Sequence, residues 1–171
     1  MPIIQANNIN IYYELHGQGP SLVLISGFTE DHTAWDDVIE ELVSSFQVLV
    51  FDNRGAGQTT SPPNPFTTEE MAEDTVALMR ALNISQAHIL GHSMGGVIAQ
   101  HIAIRYPKFV RRLVLSCAAA KFDEVSVFVL ESGEKLVDAG VAYPLLIENA
   151  LPWIFGGDFL KIAASPFFQV S

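Results

Sequence analysis

A serine bracketed by glycines, Gly91-His92-Ser93-Met94-Gly95, follows a short apolar run and precedes a stretch with helical periodicity. A sharp strand-to-helix turn at this point holds Ser93 in a strained backbone conformation and presents its hydroxyl at the start of the helix. Side chains larger than hydrogen at Gly91 and Gly95 would collide where strand and helix close together. The first N–H groups of the helix lack intrahelical acceptors and carry the positive end of its dipole, so the Met94 N–H is a candidate donor to an oxyanion developing beside Ser93. A second donor is expected from Ser26-Gly27-Phe28, at the carboxyl end of an earlier apolar run, where Gly27 lets the chain turn and the Phe28 N–H points inward. Two donors matter, because losing one typically costs about 2.7–4 kcal/mol of barrier lowering. The chemistry that fits is acyl transfer through a serine nucleophile; the plainer alternative is a glycine-punctuated turn with a surface serine.

These groups need a scaffold, and short β-rich runs alternating with helical periodicities supply one. The pattern predicts an α/β fold, a mostly parallel sheet flanked by helices. Strands are expected at Ile9–Glu14, Leu22–Ile25, Gln47–Phe51, Ala87–Leu90 and Arg112–Ser116, with a turn at Gly17–Pro20 that takes in His16. Trp35, Val38, Ile39, Leu42 and Val43 fall on one face of a helix, with Asp36, Asp37, Glu40 and Glu41 opposite. Thr67 and Glu70 form a capping box for a second helix whose inward stripe is Met71, Thr75, Leu78, Met79 and Leu82. A third helix, Met94–Tyr106, stops at Pro107. Between strand and helix, Asp52–Pro65 is too long for a mere connector and is expected to border a site. Beyond Ala120 the alternation ceases. Helices are expected at Val125–Ala139 and Leu145–Ala150, with Pro152, Gly156, Gly157 and Pro166 breaking up an apolar remainder, so we divide the chain into 1–120 and 121–171.

Composition narrows the function classes. The 171 residues are 49% hydrophobic and 16% charged, which excludes disorder and low complexity, and no apolar run reaches the roughly 18 residues of a membrane span. Nine basic against nineteen acidic residues give a formal charge of −10, so neither nucleic acid nor a membrane surface is an expected partner. The first basic residue is Arg54, which argues against a secretory or mitochondrial leader and for a cytoplasmic address. Cys117, the single cysteine, has no companion for a disulfide or a metal site and is expected as a small apolar filler. No metal and no cofactor are expected.

Three motifs in order resemble the α/β-hydrolase superfamily, in particular its compact bacterial esterase, lactonase and C–C hydrolase group. They are Leu22-Val23-Leu24-Ile25-Ser26-Gly27-Phe28, the loop Phe51-Asp52-Asn53-Arg54-Gly55-Ala56-Gly57-Gln58-Thr59, and Gly91–Gly96, and the likeness runs from about Ile9 to Ala120. The resemblance implies Ser93 as nucleophile, the Phe28 and Met94 amides as oxyanion hole, and a helical lid beginning at Lys121. One departure is Ser26, where many relatives carry histidine; a main-chain donor survives that change. The small apolar acyl substrate would then be recognised largely by lid residues, among which Leu145, Trp153, Ile154, Phe155 and Phe167 are the candidates. Arg54 is expected to pair with nearby carboxylates rather than clamp substrate, and Asp52 to brace its loop.

A serine hydroxyl needs a base and a carboxylate that orients it. In this superfamily both follow the serine in the chain, yet only His101 comes after Ser93, and eight residues of helix displace it by about 12 Å. His88 lies toward the far end of its strand. His92 is expected to point across the turn, and His32 is better read as a helix-entry residue than as a substitute base. Asp123, Asp138 and Asp158 follow Ser93 but lie in the helical segment, and none is assigned as the acid. The expectation is a chain that stops before the last strands, retains nucleophile and oxyanion donors, and is impaired as an enzyme. Its strand Arg112–Ser116 would be an open edge, favouring self-association or capture of a complementary C-terminal fragment. The competing reading is a noncatalytic ligand-binding or protein-interaction module on the same scaffold.

Overall fold

The computed structural model describes residues 2–121 and 124–154. Contacts divide the chain into two units, Met1–Ala120 and Lys121–Ser171.

The first unit is built on six strands: β1 (Ile3–Ala6), β2 (Ile9–His16), β3 (Ser21–Ile25), β4 (Gln47–Phe51), β5 (Ala87–His92) and β6 (Val110–Ser116). They lie in the order β1-β2-β4-β3-β5-β6. The four from β4 to β6 pair in parallel, while β2 is antiparallel to both its neighbours. The parallel strands need crossovers, and helices α1 (Asp36–Leu42), α2 (Thr68–Ala81) and α3 (Met94–Arg105) provide them. Side chains alternate across β3 and β4, so two cores form. Val23, Ile25, Leu49 and Phe51 pack with Met71, Val76, Met79, Ile98 and Ile102 of α2 and α3. Leu22, Leu24, Val48 and Val50 pack on the other face with Trp35, Ile39, Leu42 and Val43. Near-continuous apolar strands are what burial on both faces requires. The Thr67–Glu70 box caps α2 as expected, each side chain accepting from the other's backbone N–H.

Several elements differ from expectation. β1 was not anticipated; its four residues pair with Asn10–Tyr12 and Ile9 across the tight Asn7-Asn8 turn, whose residues have φ of 46° and 64°. β2 runs on to His16, which pairs with Val48 instead of sitting in the turn. His32–Trp35 forms a 3-10 turn ahead of α1, capped by Asp31, which accepts from the Thr33 N–H. Cys117 is exposed at φ 51° just past β6, so it fills no core.

In the second unit α4 spans Glu124–Asp138 and α5 spans Tyr143–Ile154. α5 continues past Pro152, expected to break the chain there, as far as Ile154. Val125, Phe128, Leu130 and Val137 on α4 are exposed. Among the described residues no helix is long and apolar enough to cross a membrane.

Candidate active site

Ser93 sits between β5 and α3 with φ 52° and ψ −118°, a conformation that L-residues rarely adopt. Its N–H donates to the carbonyl of Ser116 at 2.9 Å, tying the bend to the end of β6, and its carbonyl accepts from Gly96 at 2.9 Å. The hydroxyl makes no hydrogen bond with any described residue. Space explains the flanking glycines. A Cβ on Gly95 would run into the Ile25 and Ser26 carbonyl oxygens, and one on Gly91 into the backbone of Gly95, in both cases nearer than real Cβ atoms come. Gly96 is equally constrained, by the Ala118 side chain.

The same crowding brings the end of β3 against the start of α3. A Cβ on Gly27 would lie 3.2 Å from Ser93 Cβ and 2.8 Å from Glu30 Oε2. A side chain here would press on Ser93 Cβ and displace the Glu30 carboxylate, so close approach favours Gly27; the positive φ of this loop belongs to Thr29, at 65°. The Phe28 and Met94 N–H groups donate to no acceptor among the described residues, which leaves two main-chain donors free on the two segments that meet at Ser93. The Phe28 side chain is 68% exposed.

The loop after β3 is bolted down from within. Ser26 is fully buried; its hydroxyl donates to the Asp31 carbonyl at 3.0 Å and accepts from Trp35 Nε1 at 2.8 Å, and its own carbonyl accepts from Asn53 Nδ2 at 3.1 Å. Glu30 Oε2 accepts from the Gly27 N–H at 2.6 Å and lies 3.4 Å from His92 Nδ1. Glu30 escaped the sequence reading, although its place three residues after the glycine is the spacing that lets a carboxylate reach back to a loop amide.

Asp52 braces its loop, as expected. It is completely buried, its Oδ1 accepts from the His32 N–H at 2.8 Å and lies 2.7 Å from His32 Nδ1, and its Oδ2 accepts from the Gln58 N–H at 2.7 Å. Burial alone would push the His32 imidazole toward neutrality, but the Asp52 hydrogen bond and the charges of Asp52, Glu14 and Asp31 outweigh it and hold the ring's pKa above its ordinary value. Glu14 is held below the usual carboxylate range, first by the Tyr12 hydroxyl and then by His16 and His32. Arg54 pairs with buried Asp74 through two hydrogen bonds, Nε at 2.5 Å and NH2 at 2.7 Å, so it is a structural latch as expected. Asp74 was missed; an acid on the apolar stripe between Met71 and Leu78 was the signal. Asp31, His32 and Asp52 each offer one ligand atom within 4.8 Å of the others, but protein donors already engage Asp31 and Asp52.

The remaining candidates scatter. His88 stacks edge-on against Phe46, and His101 Nε2 lies 3.3 Å from Thr68 Oγ1. Leu145 is on α5 and 57% exposed. Trp153 and Ile154 end α5, while Phe155 and Phe167, like Asp123 and Asp158, lie outside the described residues.

Known proteins resemble this chain in sequence and fold. A family model described as alpha/beta hydrolase fold matches residues 20–142. RutD of Azorhizobium caulinodans, a protein named for carbamate hydrolysis, is 32% identical over 123 residues, covering 72% of this chain and 46% of its own length. BpoC of Mycobacterium tuberculosis, named as a non-heme bromoperoxidase, is 34% identical over 138 residues, covering 80% of this chain and 52% of its own. The crystal structure of the enol-lactonase from Burkholderia xenovorans LB400 superposes with a TM-score of 0.80 at 27% identity, over 95% of this chain and 63% of that one. The chain thus spans about half the length of the curated relatives it matches.

Proposed function

The chain belongs to the alpha/beta hydrolase fold family, and from that premise we propose that it is a serine hydrolase scaffold acting on an ester, lactone or related acyl substrate. Ser93 Oγ attacks the acyl carbon, the carbonyl oxygen becomes an oxyanion facing the Phe28 and Met94 N–H groups, and its collapse breaks the acyl C–O bond, the departing oxygen taking up the serine proton as a free alcohol or, in a lactone, as a hydroxyl still tethered to the acyl-serine. Water then attacks the acyl carbon, releasing the acid and restoring the hydroxyl. One observation carries the reading: a serine at φ 52° on a strand-to-helix bend, against a loop whose free amide joins that of the helix. The hydroxyl proton needs an acceptor, and no histidine of the described residues hydrogen-bonds Ser93. The 171 residues acting alone should therefore turn over roughly four to six orders of magnitude more slowly than an intact triad. A fluorophosphonate probe is expected to label Ser93 at that slow rate, and Ser93→Ala to abolish the label. Labelling that survives Ser93→Ala would remove the assignment.

The unengaged hydroxyl also favours, for the chain acting alone, ligand binding without turnover. A complementary C-terminal fragment that restores esterase activity decides for the enzyme. A reducing, cytoplasmic compartment suits the lone exposed thiol of Cys117. Among the described residues β6 ends the sheet, with Val114 51% and Leu115 42% exposed, so we expect self-association along this edge; light scattering that shows only monomer at high concentration would contradict it.

A further inference from the structure

A cleft of about 190 Å³ opens beside the bend, lined by Glu30, Ala34, Trp35, Val38 and His92. All five residues belong to the first unit. Its chemistry is mixed in a specific way. Glu30 spends Oε2 on the Gly27 N–H and on His92, while Oε1 has no hydrogen-bond partner among the described residues. The indole of Trp35 is fixed by its Nε1–H on buried Ser26 and by packing against Leu22, Leu24, Val48 and Val50. Val38, 43% exposed, and Ala34 add aliphatic surface.

A carboxylate with a spare oxygen set against an aromatic and aliphatic wall suits a positively charged nitrogen carrying short alkyl groups. The carboxylate and the ring quadrupole attract the charge, and the wall takes the carbons. An anion would meet Glu30 on a chain of formal charge −10, and a neutral apolar group would desolvate the carboxylate without pairing it. The size fits a group rather than a molecule, being below the ~300 Å³ at which drug-sized sites begin. We propose that this cleft is a binding site for a small alkylammonium group, held between Glu30 and Trp35. His92, the residue before Ser93 in the chain, lines the cleft, so the group lies next to the bend. On the hydrolase reading, which this consequence rests on, the preferred acyl substrate carries an amine; binding itself needs only the cleft.

Titrating the protein with tetramethylammonium chloride, at constant ionic strength and with tert-butanol as an uncharged comparator of similar size, tests this by assigned NMR shifts of the Trp35 indole and Gly27 amide. The ammonium is expected to bind about tenfold more tightly than the alcohol, and Glu30→Gln, whose amide oxygen can still accept from Gly27, to remove most of that preference. Val38→Lys, a surface change that places a cation at the rim, is expected to abolish binding even should Glu30→Gln fail to fold. Equal affinity for alcohol and ammonium, or unchanged binding in Val38→Lys, would overturn the proposal. Ser93→Ala should bind as before, which keeps this test separate from the fate of the hydrolase reading; lost binding there would put the cation at the hydroxyl and overturn the cleft assignment.

Discussion

The bend at Ser93 and the loop after β4 both place polar groups at the carboxyl ends of the strands, yet they hold their shapes by opposite means. At the bend the constraint is exclusion: Gly91, Gly95 and Gly96 sit where backbone or a methyl group already fills the space of a side chain. In the loop the constraint is attraction, with buried Asp52 gathering three donors and Arg54 clamping Asp74. The first is damaged by adding atoms and the second by removing charge. Such a region can be precise without long elements, because hard contacts fix the backbone of Ser93 while hydrogen bonds fix the loops around it.

Removing charge should have the largest effect. Asp74→Ala leaves the Arg54 guanidinium buried without its partner and is expected to cost about 3–5 kcal/mol in urea unfolding. Replacing both, Arg54→Met with Asp74→Leu, should recover most of that loss; a double variant no better than the single would mean that the pair is not the main bond of the loop. Adding atoms comes next. Gly95→Ala forces the end of β3 away from α3 and is expected to cost about 1–3 kcal/mol, whereas Gly133→Ala, where nothing lies within 4 Å, should be neutral or stabilising. Equal effects at the two glycines would dissolve the steric account of the bend.

Smaller again is Thr67→Ala, which deletes one half of the α2 capping box and should cost about 1 kcal/mol. The weakest effect is on pH dependence. His32 has its pKa raised in the folded state, so its contribution is fully present below the unfolded value, about 6.5, and is lost as pH climbs through the folded one. Stability measured across neutral pH should therefore fall less steeply in His32→Asn than in the parent, and a parallel pair of curves would show that the Asp52–His32 contact is electrostatically silent.

Much of this was readable beforehand, where the signal is local. The Gly-x-Ser-x-Gly spacing, the Thr67–Glu70 box and the period-3.6 stripe of α1, save for Val38, which is 43% exposed rather than packed inward, each depend on residues a few positions apart. What escaped depends on distant partners. β1 is only four residues long and earns its strand from pairing with β2; Cys117 is apolar by type but follows an edge strand and meets solvent; Asp74 breaks an apolar stripe because a residue twenty positions earlier needs it.

The sequence by itself determined that a serine would stand on a glycine-flanked bend between strand and helix, since backbone sterics act within a few residues. Only the tertiary structure decided that Gly27 comes close against Ser93 without a positive φ of its own, that Glu30 reaches back to its amide, and that Trp35 locks onto Ser26. Those contacts join segments whose separation along the chain says nothing of their distance in space, and burial sets their strength.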